Sequence, residues 1–154
     1  MLGKKIADLE PGDELEPVKY LLTDLICAEY AHGNEDPTEY YYSAVAPFDR
    51  QLRPPTMVHA DKLRLLEANA REEQRISGQL AEDYRIHYEY HAQHHSPAFV
   101  GEEIVVKGRI SDKFVKRGRE FLAYEMTIET GDGRLVTTYR DLTLLAYKPV
   151  EENR

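Results

Sequence analysis

The sequence predicts an α+β domain in which an antiparallel sheet wraps one central helix. Three observations predict it. Residues 56–67 carry apolar side chains at roughly helical spacing. Four strand-like segments follow between residues 86 and 145 with no helical pattern among them. Glycine-rich turn signals separate the later segments, so they join as hairpins and a helix precedes an antiparallel meander.

The elements follow in chain order. Pro11-Gly12-Asp13 marks a turn, and residues 17–22 form a short extended segment. Thr23 is placed to cap a helix over 24–32, with Gly33 as its stop. A loop over 34–55 holds Tyr40, Tyr41 and Tyr42, then Pro47 and the Pro54-Pro55 pair. Thr56 can cap the next helix, whose stripe of Met57, Ala60, Leu63 and Leu66 is expected to face the sheet. Residues 68–83 are polar and lack a clear period, which suits a frayed helix end or a crossover.

The strands come next. In the first, Ile86, Tyr88, Tyr90 and Ala92 alternate with His87, Glu89, His91 and Gln93. In the second, over 103–115, Ile104, Val106, Ile110 and Phe114 point one way, and Lys107, Arg109 and Lys113 the other. Residues 116–119 turn into the third, where Leu122, Tyr124, Met126 and Ile128 share a face. Gly131-Asp132-Gly133 makes a tight hairpin into a fourth strand over 134–145, and residues 148–154 form a charged tail. No internal repeat or low-complexity segment interrupts the 154 residues, so residues 1–154 read as a single domain.

Composition narrows the function classes. A net charge of −8 argues against nucleic acid as the main partner, because phosphate binding needs a basic surface. No apolar run reaches membrane-spanning or signal-peptide type, so no membrane partner and a cytoplasmic location are expected. The lone Cys27 excludes an internal disulfide and fits a reducing compartment; it reads as packing. The chain has eleven tyrosines and no tryptophan, so its buried aromatics bring hydroxyls that need partners. One face of a sheet covered on the other by a helix favours pairing between subunits, and a homodimer is expected.

Candidate chemistry concentrates in the loop that runs from Tyr30 to Tyr40. Asn34, Asp36 and Glu39 there either shape the turn through bonds to backbone or touch a substrate. Thr56 and Met57, at a helix start, offer N–H groups to an oxyanion. His87 and His91 share a strand face in the alternating pattern, with Glu89 between them. Four extended residues separate them by about 13 Å, too far for one metal ion, so no metal site is expected. With His94 and His95 they suit a solvated or subunit-facing polar surface. Lys107, Arg109, Lys113, Lys116, Arg117 and Arg119 are either a solvated face balanced by glutamates or a landing patch for phosphates or an acidic carrier.

Four places in order carry a resemblance: Pro11-Gly12-Asp13; Tyr30-Ala31 with the loop from Gly33 to Tyr40; Pro54-Pro55-Thr56-Met57; and the turn from His95 to Glu102. Together they resemble the MaoC-like dehydratases and their FAS1-like dehydratase N-terminal relatives, and the resemblance covers nearly the whole chain. It implies the hotdog fold and hydration of trans-2-enoyl thioesters of coenzyme A or acyl carrier protein, or the reverse dehydration, without a cofactor. The family motif reads Ser-Gly-Asp-x-Asn-Pro-x-His. Aligned on Gly33 and Pro37, its Asp falls on Asn34, its Asn on Asp36 and its His on Glu39. The implied catalytic set is therefore Asn34 to orient water and Asp36 or Glu39 as acid–base group, with Thr56 and Met57 polarising the thioester carbonyl. Two alternatives stay open: a non-catalytic subunit that binds acyl-CoA and pairs with an active hydratase, and a hotdog thioesterase.

Overall fold

The computed structural model describes residues 4–70 and 85–145. Strand β1 (Glu14–Leu21) leads through Thr23 into helix α1 (Asp24–Gly33). A long loop with a 3-10 turn at Glu39–Tyr41 follows, and a second 3-10 turn, Pro55–Met57, runs into helix α2 (Val58–Asn69). Strands β2 (Ile86–His94), β3 (Glu103–Lys116), β4 (Arg119–Thr130) and β5 (Leu135–Leu144) complete the order. They form one antiparallel five-stranded sheet, β1-β3-β4-β5-β2. The expected meander is β3-β4-β5. The short segment expected before Thr23 is a full edge strand, and β2 crosses to the opposite edge.

Thr23 caps α1 by accepting from the Ile26 amide at 3.2 Å, and Cys27 and Ala31, one turn apart, are the side chains this helix buries. Helix α2 lies across the sheet. Its buried residues are Val58, Asp61, Lys62, Leu65, Leu66 and Asn69. This corrects the expected stripe: Leu63 is 55% exposed, while two charged residues point inward. Thr56 is not the cap either, because the 3-10 turn delivers the chain into α2 with Met57 at the cap position and no side-chain cap bond. Met57 and Val58 join Ile104, Val106, Ile110, Leu122, Met126 and Ile128 in the core.

Three irregularities set which side chains face α2. In β1 the register slips between Leu15 and Val18. Pro17, which has no N–H for a ladder, sits there, and Asn69 of α2 bridges the freed backbone, accepting from Glu16 N at 2.7 Å and donating to Glu16 O at 3.0 Å. In β3 the register slips between Ile110 and Asp112, so Lys113 pairs with Leu122 and Phe114 with Phe121. Lys113 is thereby turned to the opposite face from Lys107 and Arg109, where it donates to Ala7 O and Glu10. In β2 the slip falls between His87 and Glu89. His87 therefore faces α2 with Tyr90, Ala92 and His94, and His91 faces away, where the alternating pattern had His87 and His91 on one face. At the crossing of α2 and β3 a Cβ on Gly108 would come within 2.8 Å of Leu65 Cδ2 and 3.1 Å of the Glu125 carbonyl, so a larger residue there would displace Leu65 and crowd the strand. Among the described residues no helix is long and apolar enough to cross a membrane. The stretch 71–84 and the tail 146–154 lie outside the described residues, and with them most of the expected crossover.

Candidate functional site

The loop that follows α1 is tied tightly to itself. Asn34 is exposed and donates its side-chain amide to Tyr30 O at 2.7 Å, closing the helix end. The Asp36 carboxylate accepts from the Thr38 amide at 3.0 Å, and the Thr38 hydroxyl and amide hold its pKa below the usual carboxylate value. Glu39 starts the 3-10 turn Glu39–Tyr41 and is exposed. Tyr42 donates to Asp36 O at 2.8 Å, fixing the loop from its far side. The three residues aligned with the family motif thus lie on one loop, but as turn-builders and solvent-facing groups.

This loop is joined to the start of α2. The Tyr30 hydroxyl donates to Thr56 O at 2.8 Å. Thr56 is exposed, whereas Met57 is buried and its amide already donates to Pro54 O at 3.1 Å. Beside this junction lies a cavity of about 290 Å³ lined by Phe48, Leu52, Pro55 and Ala98, with Arg53, His94 and Thr137 among its polar walls. Asn34, Asp36 and Glu39 are not among its lining residues. Burial, then the charges of Arg53 and His95, push the His94 pKa down. Its Nδ1 meets Thr137 Oγ1 at 3.1 Å. Arg53 is buried, pairs with the fully buried Asp61, and leaves its Nε without a protein partner. Asp61 also accepts from Tyr20 at 2.7 Å and from Arg64 at 3.2 Å.

A second polar group sits between α2 and the β5–β2 edge. Asp141 is fully buried. Its Oδ2 accepts from Lys62 Nζ at 3.0 Å and from the Tyr139 hydroxyl at 2.6 Å, and His87 Nε2 lies 2.7 Å away. Its Oδ1 accepts from Thr143 at 2.8 Å. His59 Nδ1 lies 3.1 Å from the Tyr139 hydroxyl, and the His59 ring stands perpendicular to Tyr90 at 4.6 Å between centroids. Burial, then the charges of His87 and Lys62, lower the His59 pKa. Burial and the bond to Asp141 raise that of Tyr139.

His59, Lys62, Tyr139 and Asp141 did not stand out in the sequence. One signal for them was present: Val58, Asp61, Lys62, Leu65 and Asn69 form a helical stripe as regular as the apolar one. Likewise Tyr139, Asp141 and Thr143 alternate on β5.

The remaining candidates separate by face. Lys107 pairs with Glu129 at 2.6 Å and Arg109 with Glu125 at 2.8 Å on the outer sheet face, the balanced arrangement. His95 meets Thr138 Oγ1 at 3.0 Å, and His91 pairs with Glu89 at 2.6 Å. Cys27 is buried in the core, and burial pushes its thiol up to about 11, which suits packing rather than nucleophilic work. Among the described residues no group of three or more His, Cys, Asp or Glu is placed to hold a metal ion.

No family model matches the chain, and no curated protein sequence matches it. Solved structures do. A monoamine oxidase regulatory protein from Archaeoglobus superposes with a TM-score of 0.70 at 15% identity, over 97% of this chain and 99% of that one. An (R)-hydratase from A. caviae involved in PHA biosynthesis gives 0.65 at 18%, over 90% and 98%. A 3R-hydroxyacyl-ACP dehydratase complex from Mycobacterium tuberculosis gives 0.65 at 15%, over 90% and 98%. The shared architecture is the hotdog fold: an antiparallel sheet wrapped around a central helix.

Proposed function

We propose that this hotdog-fold chain is an acyl-thioester hydratase/dehydratase of the enoyl-CoA and 3-hydroxyacyl-CoA type, or a subunit of one. One observation carries it: the Tyr30–Thr56 bond ties the helix that leads into the motif-aligned loop to the start of α2, where Pro55 lines a largely apolar cavity. In this reading the acyl group enters the cavity beside Phe48, Leu52 and Pro55. The thioester oxygen takes the Thr56 N–H, because the Met57 amide is committed to Pro54. Charge that develops on that oxygen is stabilised by the positive end of α2. The superposed (R)-hydratase and hydroxyacyl-ACP dehydratase complex support the reaction class.

A second reading is favoured by the loop geometry. Asn34, Asp36 and Glu39 are engaged in their own turn or exposed, which suits a subunit that binds acyl-CoA while a related hotdog partner brings the acid–base pair. The superposed dehydratase is itself a complex, which supports this assembly. The purified protein, offered crotonyl-CoA and a longer enoyl-CoA, is expected to consume the conjugated double bond. Turnover only after a partner subunit is added would select the second reading. Release of free thiol from a saturated acyl-CoA would replace both with a thioesterase.

A further inference from the structure

We propose that His59 is the acid–base residue of this chain, held in its basic tautomer by the buried Tyr139–Asp141–Lys62 network. The inference rests on the hydratase reading above and supplies the group that the motif loop lacks.

Proton counting fixes the tautomer. A carboxylate only accepts, so the single Tyr139 proton goes to Asp141 Oδ2 at 2.6 Å. The Tyr139 oxygen then has only lone pairs to offer His59 Nδ1 at 3.1 Å, so Nδ1 must carry the proton. In the neutral ring Nε2 is left bare, the form a general base requires. His87 reaches the same Asp141 oxygen at 2.7 Å and donates through Nε2–H, which leaves its Nδ1 bare, but it pairs with Thr143, six residues along β5 from the cavity-lining Thr137. Lys62 balances the Asp141 charge. The groups that face His59 are thus Lys62 from α2, Tyr139 and Asp141 from β5, and His87 and Tyr90 from β2. Their net effect, with burial, keeps the imidazole neutral at neutral pH.

His59, like the motif residues, is not among the residues that line the cavity; its neighbours place it beside that cavity. His59 lies in the first turn of α2, three residues after Thr56, and side chains there lean toward the helix start. Tyr139 and Thr137 alternate to the same face of β5, about 7 Å apart, and Thr137 lines the cavity assigned to the acyl group. On β2 the same step separates Ala92, opposite Tyr139, from the cavity-lining His94.

The step balances. His59 Nε2 takes a proton from water as the water oxygen bonds to C3 of the enoyl thioester. The double-bond pair moves to C2 and the carbonyl, giving an enolate whose oxygen the Thr56 N–H receives. The imidazolium Nε2–H then protonates C2, and one water has been added with His59 restored. Dehydration is the reverse.

The test uses the full chain. With crotonyl-CoA, His59→Gln is expected to lower kcat about 100-fold or more while KM stays within about threefold. Glu129→Gln, on the outer sheet face, is expected to stay within about threefold of the parent rate. Tyr139→Phe removes the acceptor that supports the imidazolium, so the acidic limb of kcat should move to lower pH, which a purely structural role would not do. An active parent with an equally active His59→Gln protein would overturn the assignment and leave the hydratase reading standing. A parent that binds butyryl-CoA by calorimetry but turns over only with a partner would also overturn it, leaving the subunit reading. Neither binding nor turnover would remove the hydratase reading and this role together. Nitrogen-15 spectra of the parent imidazoles keep the test independent of whether the variant folds: Nδ1–H at His59 supports the assignment, and Nε2–H overturns it.

Discussion

Asp61 and Lys62 show how a charged residue becomes a core residue. Each is buried on α2 because the facing elements carry a partner: Arg53 for Asp61, Asp141 for Lys62. Such pairs cost much to desolvate, and losing one member leaves the other buried without compensation. Asp61→Asn is therefore expected to lower unfolding stability by about 3–5 kcal/mol in a urea titration. The same burial biases two imidazoles. His59 and His94 both have folded pKa values below the ordinary 6.5. The unfolded chain thus takes up protons before the folded one does. Stability from these residues is present above pH 6.5 and is lost as pH falls below it. Melting temperature should drop between neutral pH and about pH 5, and a His59→Gln/His94→Gln protein should show a shallower drop. None of this pairing was legible from apolar periodicity, which reads Asp61 and Lys62 as surface. The loop residues were the reverse case. Asn34, Asp36 and Glu39 were found by motif alignment, yet only the structure shows that Asn34 and Asp36 are spent on the turn and that Glu39 is exposed.

At the scale of elements, turns and strand positions were legible because their signals are local. Thr23 caps α1 as expected, and residues 131–133 turn between β4 and β5. Faces were less legible wherever a register slip intervened, as at Ser111 and Tyr88, because one added residue reverses the inside–outside assignment on one side of it. The helix face failed for a different reason: Leu63 fits a helical period but points to solvent, while the true stripe is partly polar. Close packing of Leu65 on β3 uses the space at Gly108, which no turn pattern singles out. Gly108→Val would press on Leu65, Met126 and the Glu125 carbonyl. It is expected to cost about 2 kcal/mol through overpacking, read as a lower urea midpoint with an unchanged slope.

Among the described residues, one edge of the sheet is open. Strand β2 pairs with β5 on one side, and its tyrosines Tyr88 and Tyr90 are 61% and 47% exposed. An edge of this kind is a template for another strand. Antiparallel pairing of two β2 strands about Tyr90 would set Glu89 opposite the second copy's His91, a carboxylate–imidazole match that the reverse pair repeats. Light scattering is expected to show a dimer, and Glu89→Lys is expected to raise its dissociation constant about tenfold or less, since rim charges contribute modestly. The fold class itself was legible from the helix-then-meander order. The placement of β1 and β2 at opposite edges was not, because non-local pairing leaves no trace in a local window.

The extra residue in β2 has a bearing on descent. Tyr88 is the residue without a partner in the pairing: His87 lies opposite Thr143 and Glu89 opposite Leu142. A lineage could lose or gain that one codon and keep His87 beside Asp141 and Glu89 on the outer face. Any ungapped comparison through the strand would then match this chain's His87 to the wrong neighbour. The histidine would look unconserved in relatives that possess it, displaced by a single letter.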